Sequence, residues 1–80
     1  MDIRIVNYDT YENACGHQGI EPQTEEDIME EIPYAAGTLH DLKMGETITV
    51  HSWNGDLKEY YELKRIEEDV YEIRFVMFLR

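Results

Sequence analysis

Between Glu46 and Leu79 apolar and polar residues alternate, and two short polar breaks divide that run into three. The first break is Asn54-Gly55, the dipeptide most favoured in two-residue β-hairpin loops because both residues tolerate positive φ. The second is Glu67-Glu68-Asp69. In a strand, successive side chains point to opposite faces, so a pairing register holds only if it keeps the apolar residues together. A two-residue turn at Asn54-Gly55 pairs Trp53 with Asp56, Ser52 with Leu57 and Ile48 with Tyr61. A three-residue turn at 67–69 pairs Ile66 with Val70, Leu63 with Ile73, Tyr61 with Phe75 and Leu57 with Leu79. Ile48, Leu57, Tyr61, Leu63, Ile73, Phe75 and Leu79 then share one face. The opposite face sets Glu62 against Arg74 and Lys64 against Glu72, opposite-charge pairs worth about 0.2–1 kcal/mol each. The run therefore predicts a three-stranded antiparallel meander. Glu59 is the misfit: parity puts it on the inner face near Val50 and Met77, which implies a place at the sheet margin or a bulge.

The N-terminal half is less regular. Residues 2–8 are rich in β-branched side chains and read as a further strand. Over 9–23, Gly16, Gly19 and Pro22 interrupt regular structure, and 10–14 is sufficient for one helical turn. Thr24 followed by Glu25, Glu26 and Asp27 has the form of a capped helix start, with Ile28 and Ile32 four apart on one face. Pro33 disfavours helical geometry in the residue before it, which predicts a short helix over about 24–32 or a little beyond. The expected fold is α+β in the order β-α-β-β-β, a small sheet of four antiparallel or mixed strands covered by one short acidic helix. A strongly curved barrel is the structural alternative.

Eighty residues are enough for one domain, spanning 1–80, with a modest core. A single cysteine, Cys15, excludes an internal disulfide. No apolar run approaches the ~20 residues of a membrane span and no basic-then-apolar leader is present, so a cytoplasmic protein is expected. Charge is the chain's other distinguishing property. Residues 5–41 hold nine carboxylates and no Lys or Arg. Residues 1–57 hold twelve acids and two bases, a net of −10, whereas residues 58–80 hold six acids and five bases, a net of −1. A field of this sign repels nucleic acid and attracts basic surfaces.

Within the acidic half, Glu26/Glu30 and Asp27/Glu31 are like-charged pairs at helical i,i+4 spacing, each destabilising by a few tenths of a kcal/mol. One explanation is a solvated outer face. The other is a row of carboxylates presented to a basic partner, because the ~5–6 Å spacing of such side chains is comparable to the separation of phosphates along a nucleic-acid strand. Glu67, Glu68 and Asp69 form a second acidic knot. On the outer face of the meander the expected register gathers His51, Trp53, Tyr60, Val76 and Phe78, with Asp56 and Arg80 in the last row. Either residues 9–23 fold over this aromatic patch or it is a partner or homodimer surface.

Chemistry-bearing motifs are sparse. Cys15-Gly16-His17 offers two soft ligands, with only His40 and His51 as further candidates, whereas zinc takes about four. Residues so close in sequence also make a poor nucleophile–base pair. No catalytic residue, metal or cofactor is expected, and the readings that remain are binding functions. In length, net charge, the Glu25–Glu31 cluster and the 67–69 knot, though in no shared motif, the chain resembles small acidic anti-defence proteins of phages and mobile elements, among them anti-CRISPR proteins and DNA-mimic inhibitors. That resemblance implies an inhibitor that occupies the basic nucleic-acid-binding surface of a CRISPR effector, nuclease or other DNA-targeting enzyme. Glu25, Glu26, Asp27, Glu30, Glu31, Glu67, Glu68 and Asp69 would stand in for phosphates, and Trp53, Tyr60 and Phe78 would add specific contacts. The alternative is a non-enzymatic module that docks or dimerises through the aromatic sheet face.

Overall fold

A computed structural model of the chain describes residues 1–37 and 39–79, and of His40 the backbone alone. The elements are β1 (Asp2–Ile5), α1 (Tyr8–Gln18), α2 (Glu25–Ala36), a 3₁₀ turn (Leu39–Asp41), β2 (Thr47–Asn54), β3 (Leu57–Glu67) and β4 (Val70–Leu79). The strands form one sheet in the order β1-β4-β3-β2. The fold is α+β, with the meander in place and β1 added parallel to β4. The sheet ends in two free edges, β1 and β2, so it is open and not a barrel. Both helices pack on its inner face, where Tyr11 and Cys15 of α1 and Ile28 and Ile32 of α2 meet Val50, Tyr61, Leu63, Tyr71, Ile73 and Phe75 in one core.

Parity survives, while two registers differ from expectation. The β2–β3 loop is Gly55-Asp56, and Asn54 pairs with Leu57, so Ile48 lies opposite Leu63 and Ser52 opposite Glu59. The slide is two residues, which leaves every side chain on its expected face. Gly55 has φ 63 and among the described residues only glycines have positive φ, the pattern of a II′ turn with glycine first. Between β3 and β4 the pairs Leu63–Ile73, Tyr61–Phe75, Glu62–Arg74 and Lys64–Glu72 form as predicted. The pairing shifts between Arg65 and Glu67, so Glu67 and not Ile66 faces Val70. It shifts again next to Val76, so that Tyr60 pairs with Met77 and Glu59 with Phe78. This second bulge exchanges the faces of the last β4 residues: Phe78 turns into the core, its ring 4.9 Å from that of Phe75, and Met77 and Leu79 turn outward.

Asn7 shows why the bulge sits there. Its side-chain amide donates to the Phe75 carbonyl (2.8 Å) and accepts from the Phe75 amide (2.8 Å). The side chain thereby continues the β1–β4 pairing one step beyond the strand while the backbone departs into α1. Removing both bonds leaves part-buried Phe75 backbone groups unpaired, so Asn7→Ala is expected to destabilise by about 1–3 kcal/mol. Its urea midpoint should fall with an unchanged m-value; an unaltered midpoint would remove Asn7 from this role.

The region 9–23, expected to be largely irregular, forms the eleven-residue α1. Gly16 lies inside it, and Gly19 ends it at φ 70, with the Ile20 amide donating to the Cys15 carbonyl in a Schellman closure. Thr24 caps α2 as predicted, its Oγ1 accepting from the Asp27 amide at 3.1 Å. Pro33 does not end α2, which runs on to Ala36. Ile28 and Ile32 are each 1% exposed, and burying them, at about 1.5–3 kcal/mol each, outweighs the ~3 kcal/mol cost of an internal proline.

Candidate partner-binding surfaces

The base-free segment 5–41 forms both helices, and seven of its nine carboxylates lie in them, with Glu21 in the connection between them and Asp41 in the 3₁₀ turn. Four of the bases, Arg4, Lys58, Lys64 and Arg74, fall on the outer sheet face, where Asp2, Glu62 and Glu72 are the acids. That face therefore carries four bases to three acids, whereas α1 and α2 together carry seven acids and no base. Arg65 is used internally: its guanidinium donates to the carbonyls of Leu42 and Glu68 and lies over the Tyr71 ring. Among the described residues the one ion pair within 4 Å is Arg4–Asp2.

Glu25, Glu26, Asp27, Glu30 and Glu31 are all exposed. The first three lie in the first turn of α2, where carboxylates offset the positive end of the helix dipole. Glu30 and Glu31 lie beyond that turn and have no such local reason. The five do not form a single row. Asp27, Glu30 and Glu31 line a groove of 530 Å³ together with Gln23 and Tyr34 on the side of β2, and Glu31 accepts from the Ser52 hydroxyl at 3.0 Å. Glu25 faces the other flank, beside Asp9 and the β1–α1 junction.

The 67–69 knot lies elsewhere. Gln23 and Glu21, just before α2, are hydrogen-bonded to Glu59 and Asn54 near the β2–β3 loop. Residues 67–69 lie at the opposite end of β3, eight residues on from Glu59, roughly 26 Å away at strand rise. That is several Debye lengths at physiological salt, so the two clusters act separately. The turn backbone is anchored, with the Glu68 carbonyl held by Arg65 and the Asp69 carbonyl by the Asp2 amide at 2.7 Å. Glu67, Glu68 and Asp69 are exposed.

No helix covers the outer sheet face. Residues 9–23, one expected cover for it, pack α1 on the inner face instead. Trp53 is 59% exposed, and the Lys58 ammonium lies 5.4 Å from its ring and 5.7 Å from that of Tyr60. The His51 and Tyr60 rings lie 6.0 Å apart, tilted by 40° to each other. The β4 bulge removes Phe78 from this patch and brings in Met77 and Leu79, at 46% and 43% exposure. Arg80, expected in the last row, lies outside the described residues, as does the His40 side chain.

The least anticipated group is Glu59, which is fully buried on the inner face, not at a margin. Its Oε2 accepts from the hydroxyl of Tyr11 (2.7 Å) and the amide of Asn54 (3.2 Å). Its Oε1 accepts from Tyr61 (2.8 Å) and from the amide of Gln23 (2.7 Å). Four donors and no cation surround it, a pattern matched to the acceptor-only carboxylate. Parity alone put Glu59 inside; its donors come from α1, the 19–24 connection, β2 and β3, and no local pattern announces them. The site joins elements and has no access for a ligand.

Burial raises the pKa of the Tyr11 and Tyr61 phenols well above the ordinary value of 10.0, and the adjacent Glu59 carboxylate raises both further. In the unfolded chain they ionise near that ordinary value, so above pH 10 the unfolded state binds fewer protons than the folded one and stability falls as pH rises. The expected slope is about 1.4 kcal/mol per pH unit for each phenol. Urea midpoints measured from pH 9 to 11 should show it, and Tyr11→Phe should make the slope shallower. A flat profile would contradict the buried network.

Cys15 is buried in α1, and burial raises its thiol pKa, which disfavours a thiolate nucleophile; His17 is exposed. Among the described residues no three of His, Cys, Asp and Glu converge on a point that could hold a metal ion, and no helix is long and apolar enough to cross a membrane. Comparison with protein-family models, curated proteins and solved structures finds no match.

Proposed function

We propose that this chain is a non-enzymatic binding protein whose helical side occupies a basic surface that otherwise holds nucleic acid, and so blocks a nucleic-acid-binding effector or nuclease in the cytoplasm. The observation that carries this reading is the segregation of charge: seven carboxylates and no base in α1 and α2, with Glu30 and Glu31 placed where helix stability gives them no reason to be. Such a field accelerates encounter with a basic groove and excludes nucleic acid as the direct ligand. The reading needs no cofactor. A DNA-targeting defence enzyme is the partner class that the resemblance in size and charge implies.

The test is competition. The chain should displace a duplex oligonucleotide from an RNA-guided nuclease or another nucleic-acid-binding enzyme, less effectively as salt rises, and a variant with Glu26, Asp27, Glu30 and Glu31 all changed to Lys should not. A second reading, docking through the sheet face, is favoured by the open Trp53–Lys58–Tyr60 cluster. It predicts that Trp53→Ala abolishes partner binding while the helix charges are immaterial. Phe78→Ala does not test this reading, because Phe78 packs against the core on the inner face.

A further inference from the structure

β2 is an edge strand of eight residues that pairs with β3 alone. Its pairing has no bulge, and it contains no proline, no lysine and no inward charge, the devices that usually blunt an edge. The other edge, β1, has four residues and carries the Arg4–Asp2 ion pair. Among the described residues no backbone group outside β3 bonds to β2. A groove of 260 Å³ runs beside it, lined by Ile48, Thr49, Val50 and His51 together with Ala35 and Ala36. Four consecutive strand residues point alternately to the two faces, so a cavity lined by all four lies along the strand's free edge. Farther along the same flank of α2 is the groove of Asp27, Glu30, Glu31 and Tyr34, joined to β2 through the Glu31–Ser52 bond.

We propose that the cleft between the free edge of β2 and α2 takes an extended basic segment of a partner protein, added as a fifth strand with Lys or Arg at alternate positions. This deepens the reading above and rests on it. Main-chain bonds to the edge would hold the segment. Its alternate side chains would point toward the α2 carboxylates, and the intervening ones toward His51 and Trp53. A second copy of the chain is disfavoured as the occupant, because pairing β2 with β2 would bring two sets of Asp27, Glu30 and Glu31 together.

The probe is an acetylated, amidated octapeptide of alternating Lys and Thr, titrated into the ¹⁵N-labelled chain. Shifts should be confined to residues 47–54 and 27–36. Two N-methylated versions, each blocking one alternate set of amides and retaining all charges, separate edge pairing from charge attraction, because an added strand bonds through only one set. One version should bind about tenfold or more weaker than the parent, and the other nearly as well. If both bind like the parent, strand addition is overturned while the acidic-surface reading stands. Absence of any binding, or a β2-mediated dimer in sedimentation equilibrium, also overturns the proposal.

Discussion

Replacing Glu59 by alanine is expected to destabilise the fold by about 3–5 kcal/mol, the largest effect of any single substitution considered, because it strands several buried donors at once. The carboxylate accepts from Tyr11, Tyr61, Gln23 and Asn54, and the two phenols belong to residues with no exposed surface. A domain of this size has a total stability of about 5–15 kcal/mol, so the melting temperature should fall by roughly 15 °C or more. Glu59→Gln keeps the shape but turns an amide donor against a phenol or amide donor, and should cost about 2–3 kcal/mol. The decisive comparison pairs Glu59→Leu with the triple variant that adds Tyr11→Phe and Tyr61→Phe. Removing donors along with their acceptor relieves the penalty, so the triple variant should be the more stable of the two. Additive losses would show that the phenols do not depend on Glu59.

The second large effect belongs to the acidic helix. Changing Glu26, Asp27, Glu30 and Glu31 to Lys shifts the net charge by four times +2, from −11 to −3. The first two changes oppose the helix dipole, at about 0.3–1 kcal/mol each, and Glu31→Lys removes the acceptor of the buried Ser52 hydroxyl, at about 1–3 kcal/mol, while the core side chains Ile28 and Ile32 and the Thr24 cap are untouched. The variant should therefore fold and lose its basic partner. Circular dichroism and a urea curve would establish folding independently of the binding readout.

The sequence revealed most of the sheet and part of the surface. Parity predicted which β3 side chains point inward, down to Glu59, because a period of two survives any even slide of register. It also predicted the charge pairs Glu62–Arg74 and Lys64–Glu72 as facing positions. The Val76 bulge was invisible, since it depends on Asn7 pairing with Phe75 across 68 positions of sequence. That single irregularity moved Phe78 from the outer patch to the core and exposed Met77 and Leu79 instead. Helix α1 was hidden because its apolar stripe consists of Tyr8, Tyr11, Ala14 and Cys15, with Gly16 inside, a weak helical signal that becomes stable only against Tyr61 and Phe75. The acidic cluster was legible as charge. Its division between two flanks of α2, and its separation from residues 67–69, needed the packing of α2 across the sheet.

The central claim is that the helical carboxylates hold a nucleic-acid-binding protein. Its most direct test is quantitative capture from the source cell with the native chain and the four-lysine variant as parallel baits, each with and without excess duplex oligonucleotide. The account predicts a nucleic-acid-binding protein retained by the native bait, released by the oligonucleotide and absent from the variant. The same partner held equally by both baits and indifferent to the oligonucleotide would contradict it.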